Sequence, residues 1–120
     1  YVAVALHPDA EVGIDIEQYG TRVQRVASRF IRDDERVSIA AGDEVYALLL
    51  HWSAKETMYK MMEDEGVDFI DHLRIFPFTL QESGILEAQE YRSSKAQKFR
   101  IHYETHPDYV LTFANHHKVS

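Results

Sequence analysis

The chain contains no cysteine. Disulfides, thiolate metal sites and cysteine nucleophiles are therefore excluded. No run of apolar residues is long enough to span a bilayer, so no transmembrane helix is expected. A basic excess is lacking too. At a formal net charge of −7 and a pI near 5.4, the chain lacks the basic surface that non-specific nucleic-acid binding needs. There is no internal repeat and no low-complexity segment. The seven histidines are scattered and form no HExxH-type pair. No signal peptide is visible, and the first residue is not methionine. What is present is one domain's worth of chain, 1–120, with ordinary hydrophobic content. It reads as a soluble, cytoplasmic domain.

The segment 48–62, LLLHWSAKETMYKMM, has helical spacing with one anomaly. Val45, Leu48, Leu49, Trp52 and Tyr59 recur at intervals of three, four and seven, one face of a 3.6-residue period. The next position on that stripe after Trp52 is Glu56, a carboxylate where the pattern asks for a core residue. Lys60 follows one turn later on the same face. An inward charge is costly unless paired, hydrogen-bonded or bound to a metal. Either this helix edge is wet, or Glu56 has a partner.

Residues 12–17, VGIDIE, offer one. In a strand, Asp15 and Glu17 share a face, and Ile14 and Ile16 are expected to pack on the other. Adjacent carboxylates raise each other's pKa unless a cation lies between them. With Glu56 they make three oxygen ligands from two elements. Hard oxygen donors without cysteine suit Mg²⁺, which takes one or two carboxylates plus substrate phosphates.

In chain order, 1–6 reads as a buried strand, 7–11 as a Pro-Asp turn, and 12–17 as a second strand making a hairpin with the first. Thr21 is an expected N-cap for a helix carrying Val23, Val26, Ala27 and Phe30. Asp33 or Asp34 caps a second short helix ending near Gly42. Asp43 or Glu44 starts the long helix. Residues 63–71 form an acidic loop. Strands follow over 74–78, 85–91, 99–104 and 109–114, and His116 and His117 read as a frayed tail. The expected class is α+β, a small antiparallel sheet with helices packed on one face.

Three motifs stand in order: GIDIE (13–17), RF-x₄-E (Arg29, Phe30, Glu35) and W-S-x-K-E-x₃-K (Trp52, Ser53, Lys55, Glu56, Lys60). Together they resemble the 4′-phosphopantetheinyl transferase superfamily, in its surfactin-synthetase-activating (Sfp-type) branch. Enzymes of that branch have two similar halves, and this chain is similar to the second. The resemblance implies Mg²⁺-dependent transfer of 4′-phosphopantetheine from coenzyme A to a serine of an acyl or peptidyl carrier protein. It implies metal ligands at Asp15, Glu17 and Glu56, and catalytic roles for Glu56 and Lys60. Glu56 or a metal-bound water would take the hydroxyl proton. Lys60, and Lys55 from another side of the helix, would contact the phosphates. A lone half would expose the surface that packs on its twin, so self-association is expected.

Blander readings stand beside these. Asp15 and Glu17 could be a wet strand face, and Glu56 could merely pair with Lys60. Glu35 is balanced between an acid near the metal and an exposed helix residue. Phe30 is a core residue, and Trp52 is expected to anchor the helix on the sheet. Met58, Met61 and Met62 read as core ahead of a carrier groove. Arg22, Arg25, Arg29 and Arg32 would share one side of the first helix, a solvated face ahead of a carrier site. The alternative function is a non-catalytic carrier-binding module with a degenerate site. A weaker third is an unrelated Mg²⁺-dependent phosphoryl or nucleotidyl enzyme.

Overall fold

The computed structural model describes residues 10–40, 43–62 and 64–117. Its elements are β1 (Ala10–Gln18), α1 (Arg22–Val26), α2 (Arg36–Ala40), α3 (Glu44–Met61), β2 (Leu73–Ile75), β3 (Ser83–Glu90), β4 (Lys98–Thr105) and β5 (Tyr109–His117). The strands form one five-stranded antiparallel sheet in the order β1-β5-β4-β3-β2. This is the expected α+β class, with α3 laid across one face of the sheet. The expected strand over 1–6, and its hairpin with 12–17, lie outside the described residues. His116 and His117 are not a frayed tail: their backbone continues β5 opposite β1.

Asp43 starts α3 as a true cap, its carboxylate accepting the Val45 and Tyr46 N–H groups. The helix is covered twice, by the sheet on one side and by α1 and α2 on the other. Ala47, Leu50, Ala54 and Met58 are completely buried. A helix buried on both sides carries no single apolar stripe. The expected stripe is corrected accordingly: Val45, Leu48 and Leu49 are core, Trp52 is only half-buried, and Tyr59 is exposed. Trp52 packs at a tilt against Phe30 and Phe69, at ring separations of 5.2 and 5.4 Å, and so anchors loops rather than the sheet. Met58 and Met61 are core, as is Phe30.

The N-terminal helices are shorter than expected. Thr21 makes no capping bond, and α1 gives way after Val26 to a 3₁₀ turn, Ala27–Arg29. Arg32 therefore leaves the arginine stripe and binds Asp34 and the Ile70 carbonyl. Asp33 and Asp34 do not cap α2; a 3₁₀ turn, Asp33–Glu35, precedes it.

β1 keeps the expected alternation, but the isoleucine face lacks the expected packing. Ile14 and Ile16 are 39% and 45% exposed, whereas Asp15 is buried against α3. The cause is Gly13. A Cβ there would lie 2.7 Å from the Met61 Cγ and 2.9 Å from the Thr57 carbonyl oxygen. The bare glycine face lets α3 approach, and the alternation of the strand turns Asp15 the same way.

Candidate active site

Asp15 and Glu17 project from β1 toward α3, which carries Glu56 and Lys60. The Lys60 ammonium donates to Asp15 Oδ1 and to the Ile14 carbonyl, each at 3.0 Å. Asp15 Oδ2 is buried without a hydrogen-bond partner, an expensive state for a carboxylate oxygen. Glu17 is pushed up to about 7, first by burial, then by its contact with Asp15 and by the charges of Asp15 and Glu56; the Trp52 side chain pulls the other way. Glu56 is also raised, by burial and by the Asp15 charge, with Lys60 opposing. Glu17 thus feels both Asp15 and Glu56, and Glu56 feels Asp15, as crowded carboxylates do. Among the described residues, no three histidine or acidic side chains stand close enough to grip one ion together.

Lys55 is elsewhere. Its neighbour position on the helix turns it from the acid cluster into the core, where it is fully buried. The ammonium donates to Glu35 Oε1 at 2.8 Å, to the Phe69 carbonyl at 2.9 Å and to the Phe30 carbonyl. Its three hydrogens are thereby used. The expected phosphate contact of Lys55 is corrected: no donor is left, and the group faces no solvent. Burial pulls its pKa below the ordinary lysine value, against the attraction of Glu35.

Glu35 is likewise a core residue and stands away from the cluster. It also accepts the Arg32 N–H at 2.8 Å and the Ile75 N–H at 2.7 Å. Burial alone would raise its pKa. His51, the Lys55 charge and the Ile75 N–H outweigh that, and it sits below the ordinary carboxylate range. The His51 ring nitrogen is 3.7 Å from Glu35, too far for a hydrogen bond.

The three motif segments thus divide between two centres. Asp15, Glu17, Glu56 and Lys60 form a partly wet cluster, and Glu35 and Lys55 a dry one. A scan against protein-family models matches the 4′-phosphopantetheinyl transferase superfamily over residues 11–114. The chain belongs to that superfamily. No curated protein matches it. The superfamily transfers a phosphopantetheinyl group, with coenzyme A and a carrier protein as its partners in general terms. No helix among the described residues is long and apolar enough to cross a membrane.

Sequence reasoning missed two kinds of residue. Gly13 had a signal, since a glycine inside a strand often marks close backbone approach. The buried hydroxyls of Thr57 and Thr112, which with the motif residue Ser53 join α3 to β5, had none. Beside Glu17 lies a cavity of about 400 Å³, lined by Val23, Phe30, Leu49 and Trp52 and by the exposed Arg22 and Arg29.

Proposed function

We propose that this domain transfers 4′-phosphopantetheine from coenzyme A to a serine of an acyl or peptidyl carrier protein, using Mg²⁺ that Asp15, Glu56 and Glu17 would hold together with waters and substrate phosphates. The observation that carries the proposal is the buried, unpartnered Asp15 Oδ2, next to two carboxylates whose protons are held too tightly. A cation would relieve all three. Mg²⁺ suits a set that does not close around an ion, because it keeps waters and completes its shell with substrate phosphates. When bound, it would neutralise the pyrophosphate oxygens.

Glu56, with its pKa above the ordinary carboxylate range, takes the proton of the carrier serine. The serine oxygen forms a bond to the phosphorus bearing the pantetheine arm. The bond from that phosphorus to the bridging oxygen breaks, and 3′-phosphoadenosine 5′-phosphate leaves. Lys60, half-exposed at the mouth of the cluster, offsets the charge on the leaving phosphate. Lys55 contributes by fixing α3. The exposed Arg22, Arg25 and Arg29 offer an acidic carrier a basic face beside the cavity.

The exposed Ile14, Ile16 and Ile85 share the sheet face opposite α3. They support self-association of a domain that resembles one half of a two-half enzyme. The second reading is a carrier-binding module without turnover, favoured by the absence of a closed three-donor set among the described residues.

A thermal-shift titration with coenzyme A, with and without Mg²⁺, tests the proposal on the wild type and Glu56→Ala. Binding to the folded state raises the melting temperature. A Mg²⁺-dependent rise that Glu56→Ala abolishes is expected. Carrier binding that survives Glu56→Ala, with no coenzyme shift in either protein, would favour the module.

A further inference from the structure

Thr112 lies on β5 directly across from Asp15 on β1. Both face α3, and Thr112 is completely buried. Its hydroxyl is 2.8 Å from that of Ser53 and 2.7 Å from that of Thr57, one turn further along α3. The Ser53 hydroxyl also reaches the Asp15 carbonyl oxygen at 3.4 Å.

The Asp15 carbonyl can only accept, so the Ser53 hydroxyl is the donor in that long contact. In the two shorter contacts, Ser53 with Thr112 and Thr112 with Thr57, either hydroxyl can donate. Three hydroxyls thus link α3 to β5 at two points, and Ser53 extends the link to the backbone of Asp15. The β-branch of Thr112 restricts its rotamer, so its oxygen is held in place.

We infer that Thr112 is a positioning residue. Through Ser53 and Thr57 it sets the spacing between the β1 carboxylate Asp15 and the α3 carboxylate Glu56, and so tunes the cation affinity of the cluster. This rests on the metal reading above. Three features single out Thr112 from ordinary core packing. It is the register partner of Asp15. It bonds α3 at two positions that bracket Ala54–Glu56. It also has no apolar substitute that keeps the chain, because valine matches its shape but neither donates nor accepts.

The test is a titration of the protein with Mn²⁺ alone, followed by electron paramagnetic resonance, with Mg²⁺ as competitor. Thermal unfolding is recorded on the same samples. The variants are Thr112→Val, Thr112→Ser and Asp15→Asn. Thr112→Val is expected to weaken Mn²⁺ binding about tenfold or more, the usual effect of losing an outer-shell contact. Thr112→Ser, which keeps the hydroxyl, should restore most of it. Thr112→Val that melts earlier yet binds Mn²⁺ as the wild type does would overturn the inference, leaving Thr112 a packing residue. Wild-type binding that ignores Asp15→Asn would overturn the metal reading and the inference with it. Should Thr112→Val fail to fold, Ser53→Ala cuts the same chain at its last link and is read in the same way.

Discussion

Two lysine–carboxylate pairs leave the same helix five residues apart and have opposite characters. Lys55 and Glu35 are completely buried, 2.8 Å apart, and the lysine has no hydrogen to spare. Lys60 and Asp15 are 3.0 Å apart, but the lysine side chain is 47% exposed and one oxygen of Asp15 is unpartnered. Saturation separates the two. The dry pair binds Phe30, Phe69, Arg32 and Ile75 into one joint, so it holds the 3₁₀ turn, α3 and β2 together. The wet pair has unmet bonding capacity facing two further acids, which is the condition for taking up a ligand. In one motif, W-S-x-K-E-x₃-K, the first lysine is buried and saturated, and the second is half-exposed beside the acids.

Breaking the dry pair should have the largest effect. Lys55→Met leaves Glu35 charged and buried without its counter-ion, and such removals cost about 3–5 kcal/mol. Denaturant unfolding should show that loss. A loss under about 1 kcal/mol would mean that the centre is wetter than its geometry. The pair also carries a pH signature. The folded pKa of Glu35 lies below its ordinary 4.5. Its contribution is therefore present above about pH 4.5 and is lost as pH falls through the folded value. Glu35→Gln, although less stable at neutral pH, should show a flatter acid limb in melting temperature between pH 5 and 3, roughly the range where carboxylates titrate. An unchanged limb would assign acid unfolding to other carboxylates.

Next comes the joint that brings the wet pair together. Gly13→Ala places a methyl against Met61 and the Thr57 carbonyl. The methionine can give way, but the backbone oxygen at 2.9 Å cannot. Overpacking of this kind costs about 1–3 kcal/mol. It should also push β1 from α3, separating Asp15 from Glu56. Coenzyme and metal binding should fall further than the stability change alone explains, read as a thermal shift with and without Mg²⁺. Gly13→Ala with wild-type stability would remove close approach as the reason for this glycine.

Much of this was legible in the sequence, and the failures have physical causes. The four C-terminal strands were found to within a few residues because their alternation survives on a sheet with one covered face. Asp15, Glu17, Glu56 and Lys60 emerged from two local patterns that the fold brings together. Lys55 was misplaced because periodicity gives the angle around a helix but not what lies outside it. With α1, α2 and the sheet on both sides, a lysine can point inward as readily as a leucine, given a partner such as Glu35. That partner is 20 residues away in sequence, in a turn whose spacing carries no signal for it. Ile14 and Ile16 were expected to pack on the face away from Asp15 and Glu17; they do take that face, but it is exposed. The close approach at Gly13 that puts the acids against α3 is not visible to a hydrophobic count.

The smallest effect on stability, and the sharpest on chemistry, should come from Lys60→Met. Its side chain is half in water, so its pairing with Asp15 is worth roughly 0–1 kcal/mol. The variant should unfold within that margin of wild type. Transfer of the phosphopantetheinyl group to a carrier protein should nonetheless drop by about 100-fold, the scale seen when one preorganised donor to developing charge is removed. The two lysines then form a crossed pair of variants: Lys55→Met losing stability first, Lys60→Met losing turnover first. Measured side by side, they ask whether position along one helix is enough to separate building from chemistry. A Lys60→Met protein that turns over at the wild-type rate would leave the open oxygen of Asp15 as the functional feature and return Lys60 to the surface.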